Sequence, residues 1–325
     1  MTIINRTVSI APMMDYTDRY YRYLARLLSS RILLYTEMVT AHALQHGDRD
    51  KLLRCDNLES PVALQLGGSE PKMLQQAARW GEDYGYDEIN LNVGCPSDRV
   101  QSGRFGVCLM KEPERVADCV VAMQSVVDVP VTVKTRIGVD HDDSYEFLLS
   151  FIEKVRQAGC RTFIIHARKA WLKGLSPKQN RTVPPLNYER VYQLKLDYPD
   201  LEIVINGGVQ DNQAVATHLQ QVDGVMIGRE ACRNIAWLHE LDRLHYAPTT
   251  SVELNRYDVL SQYLEYVELE LASGSNLQQM MKPVLGLFAG VLGAREIRRQ
   301  ISEKAREGAL GLREIQALVE KWSQR

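Results

Sequence analysis

The run Asn90-Leu91-Asn92-Val93-Gly94-Cys95-Pro96 places a thiol just beyond an apolar, strand-like stretch, in a Gly-Cys-Pro turn with two side-chain amides close by. A structural cysteine sits inside an apolar run, whereas a turn after the run is where binding and catalytic groups are usually carried. An ordinary thiol titrates near about pH 8.5 and is mostly protonated at neutral pH. No histidine stands beside Cys95 as a base, so the chemistry it suits is proton donation rather than thiolate attack. The amides of Asn90 and Asn92 suit a flat heterocycle. Lys134 closes another short apolar run, where its ammonium would stabilise a developing negative charge far better than water does. His166 reads either as a core imidazole or, beside Arg168, as part of the same site. Gly207-Gly208 and Gly228-Arg229 offer backbone N–H groups that an anion can approach because no Cβ intervenes; a tight turn would also explain the first pair.

Eight short β-branched runs must position these residues: Val8 to Ala11, Ile32 to Thr36, Val62 to Leu66, Glu88 to Asn92, Val131 to Lys134, Thr162 to Ile165, Glu202 to Ile205 and Gly224 to Ile227. Helix-like text over 71–84, 113–127, 144–158, 188–196 and 212–220 fills most intervals, with Pro, Ser or Asn at several starts. The pattern predicts a (β/α)8 TIM barrel, a fold of about 250 residues whose catalytic groups project from the carboxyl ends of the strands. An open doubly wound sheet is the alternative. Just past the eight runs stand Pro12-Met13, Glu37, Gln65 with Gly67-Gly68, Asn92 to Cys95, Lys134 with Arg136, His166 with Arg168, Asn206-Gly207-Gly208 and Gly228-Arg229. Eight such hits in step, of types that bind anions and heterocycles, predict one site. The strand pattern stops near Ala247, which divides the chain into a barrel over 1–247 and a small C-terminal helical domain, of four helix-like segments, over 248–325.

The bulk composition is that of an ordinary soluble globular protein: 325 residues, 45% hydrophobic, 25% charged, net charge −2. A strongly basic overall field is excluded, so any nucleic-acid surface must be local. The six cysteines form no CxxC pair, which gives no metal site and reads as reduced thiols in a cytoplasmic protein. No basic-then-apolar leader and no membrane-length apolar stretch is evident, so neither export nor a membrane span is expected.

These residues resemble the tRNA-dihydrouridine synthases, flavin enzymes that reduce a uridine in the tRNA D loop. The likeness is carried by Ala11-Pro12-Met13, Tyr35-Thr36-Glu37-Met38, Gln65-Leu66-Gly67, Asn90 to Pro96, Lys134-Thr135-Arg136, His166-Ala167-Arg168, Asn206-Gly207-Gly208 and Gly228-Arg229. It covers the barrel almost end to end. The stretch from His166 to Lys178 resembles the A-type branch, which acts on uridines 20 and 20a. The resemblance implies FMN held by Pro12, Met13, Met14, Gln65, Lys134, His166, Asn206, Gly207, Gly208, Gly228 and Arg229. It implies hydride transfer from reduced FMN to C6 of the uracil, a proton from Cys95 to C5, and Asn92 holding the flipped uridine. NADPH is the implied reductant, and since no GxGxxG follows a strand, it is expected to visit the flavin pocket and leave. The partner is tRNA, and no protein partner is implied. Val107 and Arg104 depart from the family's usual residues near the Cys95 loop.

The segment from His166 to Lys195 holds seven Lys/Arg against one acid, a local basic flank on which RNA phosphates could dock. The resemblance assigns tRNA contacts to Lys178 and Arg181, and to Arg295, Arg298 and Arg299, whose spacings of three and four put them near one helix face; solvated-face arginines remain the other reading. The rival functions are an FMN-dependent oxidoreductase of a free pyrimidine, of dihydroorotate or dihydropyrimidine type, a non-redox RNA-binding barrel, and a phosphosugar isomerase or lyase.

Overall fold

A computed structural model describes residues 4–246 and 253–323, the side chains of Arg99 and Ser323 excepted. All eight expected runs are strands: β1 (Val8–Ile10), β2 (Leu34–Tyr35), β4 (Val62–Gly67), β5 (Glu88–Val93), β6 (Val131–Arg136), β7 (Thr162–His166), β8 (Glu202–Asn206) and β9 (Gly224–Ile227), with one short extra strand, β3 (Val39–Thr40), against the end of β4. The strands are parallel, in the order β1-β9-β8-β7-β6-β5-β4-β2. The Ser9–Leu33 bridge, with Ile10 N–H donating to Leu33 O at 2.9 Å, returns β1 to the start of β2 and closes the ring. The architecture is a TIM-like barrel rather than an open doubly wound sheet.

The helices start where backbone chemistry permits. Pro71 and Pro113 open helices Pro71–Asp83 and Pro113–Gln124, positions at which a missing N–H costs nothing. Ser144, Asn187 and Asp211 cap helices Tyr145–Gln157, Tyr188–Asp197 and Asn212–Leu219 by accepting from free first-turn N–H groups. Side chains alternate along each strand, so Ile89, Leu91 and Val93 share one face of β5 while Glu88, Asn90 and Asn92 share the other. All six are buried.

At the amino end of the barrel that polar face carries charge. The Glu88 carboxylate, fully buried, meets Arg6 Nη2 at 2.7 Å and accepts from the hydroxyls of Tyr35 (2.7 Å) and Thr132 (2.6 Å). Arg6 also pairs with Glu202 at 2.8 Å, and Glu202 accepts from Thr162.

The chain forms two compact units: one takes the chain up to Met14 and Leu33–Gly228, the other Asp15–Ile32 and the chain from Arg229 on. The expected division between 247 and 248 lies outside the described residues. The helix Arg19–Leu28, which follows β1, belongs to the second unit for a visible reason. Arg19 pairs with Glu270 at 2.6 Å, the Tyr20 hydroxyl meets Ser275 Oγ at 2.9 Å, and the ring of Tyr23 stacks on Tyr266 with centroids 3.8 Å apart. Beyond residue 253 the described residues form helices Arg256–Ala272, Leu277–Met281, Val284–Leu287, Ala294–Lys304 and Ala309–Ser323, five where four were expected, because Pro283 separates the second from the third. No helix among the described residues is long and apolar enough to cross a membrane.

Removing Arg6 strands a buried carboxylate, and Arg6→Met is expected to destabilise the protein by about 3–5 kcal/mol. Urea unfolding of the two proteins measures this, and a loss below about 1 kcal/mol would show that the pair is not buried in solution.

Candidate active site at the carboxyl ends of the strands

The Cys95 turn is held through its backbone. The N–H groups of Gly94 and Cys95 both donate to Asn92 Oδ1, at 3.2 and 3.0 Å. The Gly94 carbonyl accepts from Arg136 Nε at 2.8 Å, and the Cys95 carbonyl from Val107 N–H at 3.0 Å. Val107 is thus a backbone donor with a buried side chain, and Arg104 adopts a positive φ of 52° just before it. Gly106 must be a glycine here: its φ is 68°, and a Cβ would lie 2.5 Å from the Cys95 carbonyl oxygen. The thiol, half-buried, reaches Ser97 Oγ at 3.5 Å. Such a turn presents its sulfur without freedom to wander.

Arg136, which stands with Lys134 at the end of β6, and Gln101, which the sequence reading did not single out, fasten this turn to the loop after β7. Arg136, buried, sends Nη1 to the carbonyls of Lys169 (3.0 Å) and Asn180 (3.1 Å). Gln101 Nε2 bridges the carbonyls of Pro96 and Leu172, each at 2.9 Å. Within that loop the buried Asn180 side chain bonds both N–H and C=O of Trp171 and the Leu175 carbonyl. The side-chain partners lie up to 71 residues apart, so no local pattern reveals them.

Gln65, Asn92, Lys134, His166, Asn206 and Gly207 come together at the carboxyl ends of their strands. Gln65 Oε1 accepts from Asn92 Nδ2 at 2.8 Å, and Asn206 Oδ1 accepts from Lys134 Nζ at 3.2 Å while its Nδ2 donates to the Met226 carbonyl. Gly207 (φ 120°) lies so close to the His166 ring that a Cβ would come within 2.8 Å of it. Gly208 (φ 76°) is hemmed by Tyr188 and Leu186, and the Tyr188 hydroxyl donates to the Gly207 carbonyl at 2.8 Å. These glycines are required by conformation and by space. Gly228 packs toward Met13, Met14 is 54% exposed, and Pro12 follows shortly after β1. Arg229 opens the second unit.

The mouth is cationic. Burial, then the neighbouring Arg136 charge, pushes the Lys134 ammonium down to about 7. Burial and the charges of Arg136, Lys134, Arg168 and Arg181 hold the His166 imidazole well below its usual range, hence neutral. Arg136 falls to about 10, chiefly through burial. Crowded cations that resist protonation create a demand for an anion. The residues therefore fit an anionic ligand through a lysine whose charge an anion would restore, beside two glycines whose own side-chain space is already filled by His166, Leu186 and Tyr188.

The basic flank is narrower than its sequence suggests, because acids arrive from elsewhere. Lys169 pairs with Asp143 at 2.6 Å and Lys195 with Asp223 at 2.8 Å, while Lys173, Lys178 and Arg181 remain exposed. In the second unit Arg295 and Arg298 are exposed, but Arg299 is clamped between Glu296 (2.6 Å) and Glu303 (2.9 Å), so its charge is already matched.

A family model described as dihydrouridine synthase matches residues 9–321. The tRNA-dihydrouridine(20/20a) synthase of Shewanella oneidensis is 56% identical over 95% of this chain and 92% of its own length; that of Vibrio cholerae is 54% identical over 97% and 96%. Among solved structures, 2-naphthoyl-CoA reductase in complex with 2-naphthoyl-CoA superposes with a TM-score of 0.55 at 11% identity, over 72% of this chain and 49% of that one, a likeness of fold alone.

Because Lys134 titrates near 7 when folded and near 10.4 when unfolded, the unfolded chain binds more protons between those values, and stability should rise with pH across that window. Lys134→Met is expected to flatten this rise. Parallel urea titrations of ligand-free protein from pH 6 to about pH 10 test it; equal slopes for both proteins would refute the buried ammonium.

Proposed function

The chain belongs to the dihydrouridine synthase family, and from that premise we propose that it reduces uridines 20 and 20a of the tRNA D loop to 5,6-dihydrouridine. FMN is the cofactor of this reading and NADPH its reductant; bound and reduced, the flavin supplies hydride to C6 of the uracil. The anion-seeking mouth supports that choice. Lys134, Asn206 and the Gly207-Gly208 backbone would hold it, with Pro12, Met13, Met14, Gln65, His166, Gly228 and Arg229 completing the set. Cys95 gives its thiol proton to C5, and Asn92 holds the base. Because a base inside a stack cannot reach such a mouth, the uridine must flip out, at a cost of a few kcal/mol that is smaller in a loop than in a duplex. Lys178 and Arg181, both exposed, would meet RNA phosphates in the first unit, and Arg295 and Arg298 in the second.

One observation carries the reading. A single oxygen, Oδ1 of Asn92, accepts from both amides of the Cys95 turn. The residue that would hold the base and the residue that would protonate it are thereby fixed to each other, which is what a proton delivered to one carbon requires.

The experiment is anaerobic: reduce the protein with NADPH, add tRNA lacking dihydrouridine, and watch the flavin absorbance. Its return, with tRNA gaining the mass of two hydrogens, is the expected result; a flavin that stays bleached overturns the substrate. Cys95→Ala should keep flavin and its reduction by NADPH yet lose about 10²–10⁴-fold in uridine reduction. Gly207→Ala, strained at φ 120°, should weaken FMN about tenfold or more while affecting riboflavin, which has no phosphate, much less. Equal losses for the two flavins would remove Gly207 from the phosphate site.

A further inference from the structure

Below the mouth, a single thread of side-chain hydrogen bonds runs along the polar faces of β4, β5 and β6. Starting from the top, the Gly94 and Cys95 N–H groups donate to Asn92 Oδ1, and Asn92 Nδ2 donates to Gln65 Oε1 at 2.8 Å. Gln65 Nε2 donates to Asn90 Oδ1 at 2.8 Å, Asn90 Nδ2 to Thr132 Oγ1 at 2.8 Å, and the Thr132 hydroxyl to Glu88 Oε1 at 2.6 Å. Gln65, Asn90, Thr132 and Glu88 are at most 1% exposed, so water cannot substitute for any of them.

The two ends of this thread have fixed polarity. Backbone N–H groups only donate, and an ionised carboxylate, here paired with Arg6, only accepts. A hydroxyl has one proton; since Thr132 gives it to Glu88, it can only accept from Asn90. Asn90 must then turn its NH2 downward and its oxygen upward, which obliges Gln65 to offer its NH2 to Asn90 and its oxygen to Asn92. Rotating any one amide by a half-turn sets donor against donor or acceptor against acceptor at both of its neighbours. All three amides are therefore locked in one orientation from both ends, by the N–H groups of the Cys95 turn at the mouth and by Thr132 and Glu88 far below it. At Asn92 both lone pairs of Oδ1 are taken, and one of the two Nδ2 protons. What remains is one N–H.

We propose that Asn90 and Thr132 are positioning residues that, together with the N–H groups of the Cys95 turn, fix the polarity of Asn92, so that it can only donate to a bound base and thereby selects a carbonyl oxygen over an amino group at the ring position it meets. For a pyrimidine reductase this is discrimination of uracil from cytosine, made by a threonine and an asparagine that the base never touches. The inference rests on the reading that Asn92 holds the base. With the thread cut, only the two N–H groups of the turn still hold the Asn92 amide, and a half-turn of Asn92 and Gln65 together, which would present an acceptor suited to an amino group, costs less.

Thr132→Val removes the hydroxyl at almost constant volume, and Thr132→Ser keeps it. With wild-type protein, reduced flavin and tRNA transcripts carrying uridine or cytidine at the target positions, the cytidine transcript should compete poorly for the base site. In Thr132→Val, kcat on the uridine transcript should fall about 10- to 100-fold with KM for tRNA little changed, and the preference for uridine over cytidine should narrow by about tenfold; Thr132→Ser should restore both. An unchanged preference in a folded Thr132→Val overturns the proposal. A second measurement needs neither variant nor tRNA: in wild-type protein the side-chain NH2 protons of Asn90 and Gln65 should exchange with solvent far more slowly than those of exposed amides such as Gln179. Exchange at the exposed rate would also overturn it. If instead the wild-type protein, with protected amides, fails to oxidise its flavin on any tRNA, the substrate reading falls while the locked thread stands.

Discussion

A carboxylate inside a barrel is the constraint from which the polar architecture of the first unit follows. Glu88 is fully buried and cannot remain charged there unless every lone pair finds a donor. Arg6, Tyr35 and Thr132 supply those donors. Once they do, the interior near β5 is committed to polar side chains, because each partner of the carboxylate carries further groups to satisfy. Apolar residues are displaced to the opposite face of the same strand, where Ile89, Leu91 and Val93 are fully buried. The barrel is thus organised by a charge at one end and a reactive turn at the other, with hydrogen bonds between them.

Much of this was legible in the sequence where the signal is local. Strands announce themselves as β-branched runs, and the start of the helix Pro71–Asp83 is marked by a residue that cannot donate. The Gly-Cys-Pro turn after β5 could be recognised because a reactive residue in that setting has few structural uses. The expected cluster of Gln65, Asn92, Lys134, His166, Asn206 and Gly207 does assemble at one end of the barrel, since parallel strands bring all their carboxyl ends to one side.

What stayed hidden depends on partners distant in sequence. Helix Arg19–Leu28 falls within the expected barrel span 1–247, yet Arg19 and Tyr23 find Glu270 and Tyr266 about 250 residues later. The basic count after β7 overstated the free charge, because Asp143 and Asp223 lie outside the counted segment. Thr132 gave no signal at all, and Asn90, whose amide read as suited to a flat heterocycle, is instead fully buried and bonded to Gln65 and Thr132. A polar residue at every second position of β5 is the one trace of the thread in the linear text, and its meaning appears only when β4 and β6 are set beside it.

The grip of Arg136 and Gln101 on the loop after β7 is directed entirely at main-chain carbonyls: Gly94, Lys169 and Asn180 for one, Pro96 and Leu172 for the other. A bond to a carbonyl is indifferent to the side chain that residue carries. These bonds therefore set no condition on the side chains of Lys169 and Leu172, whereas Asn180 is tied to its place by its own amide. The two side chains that hold the Cys95 turn thus tie it to the course of the adjoining main chain and not to the surface that the loop presents.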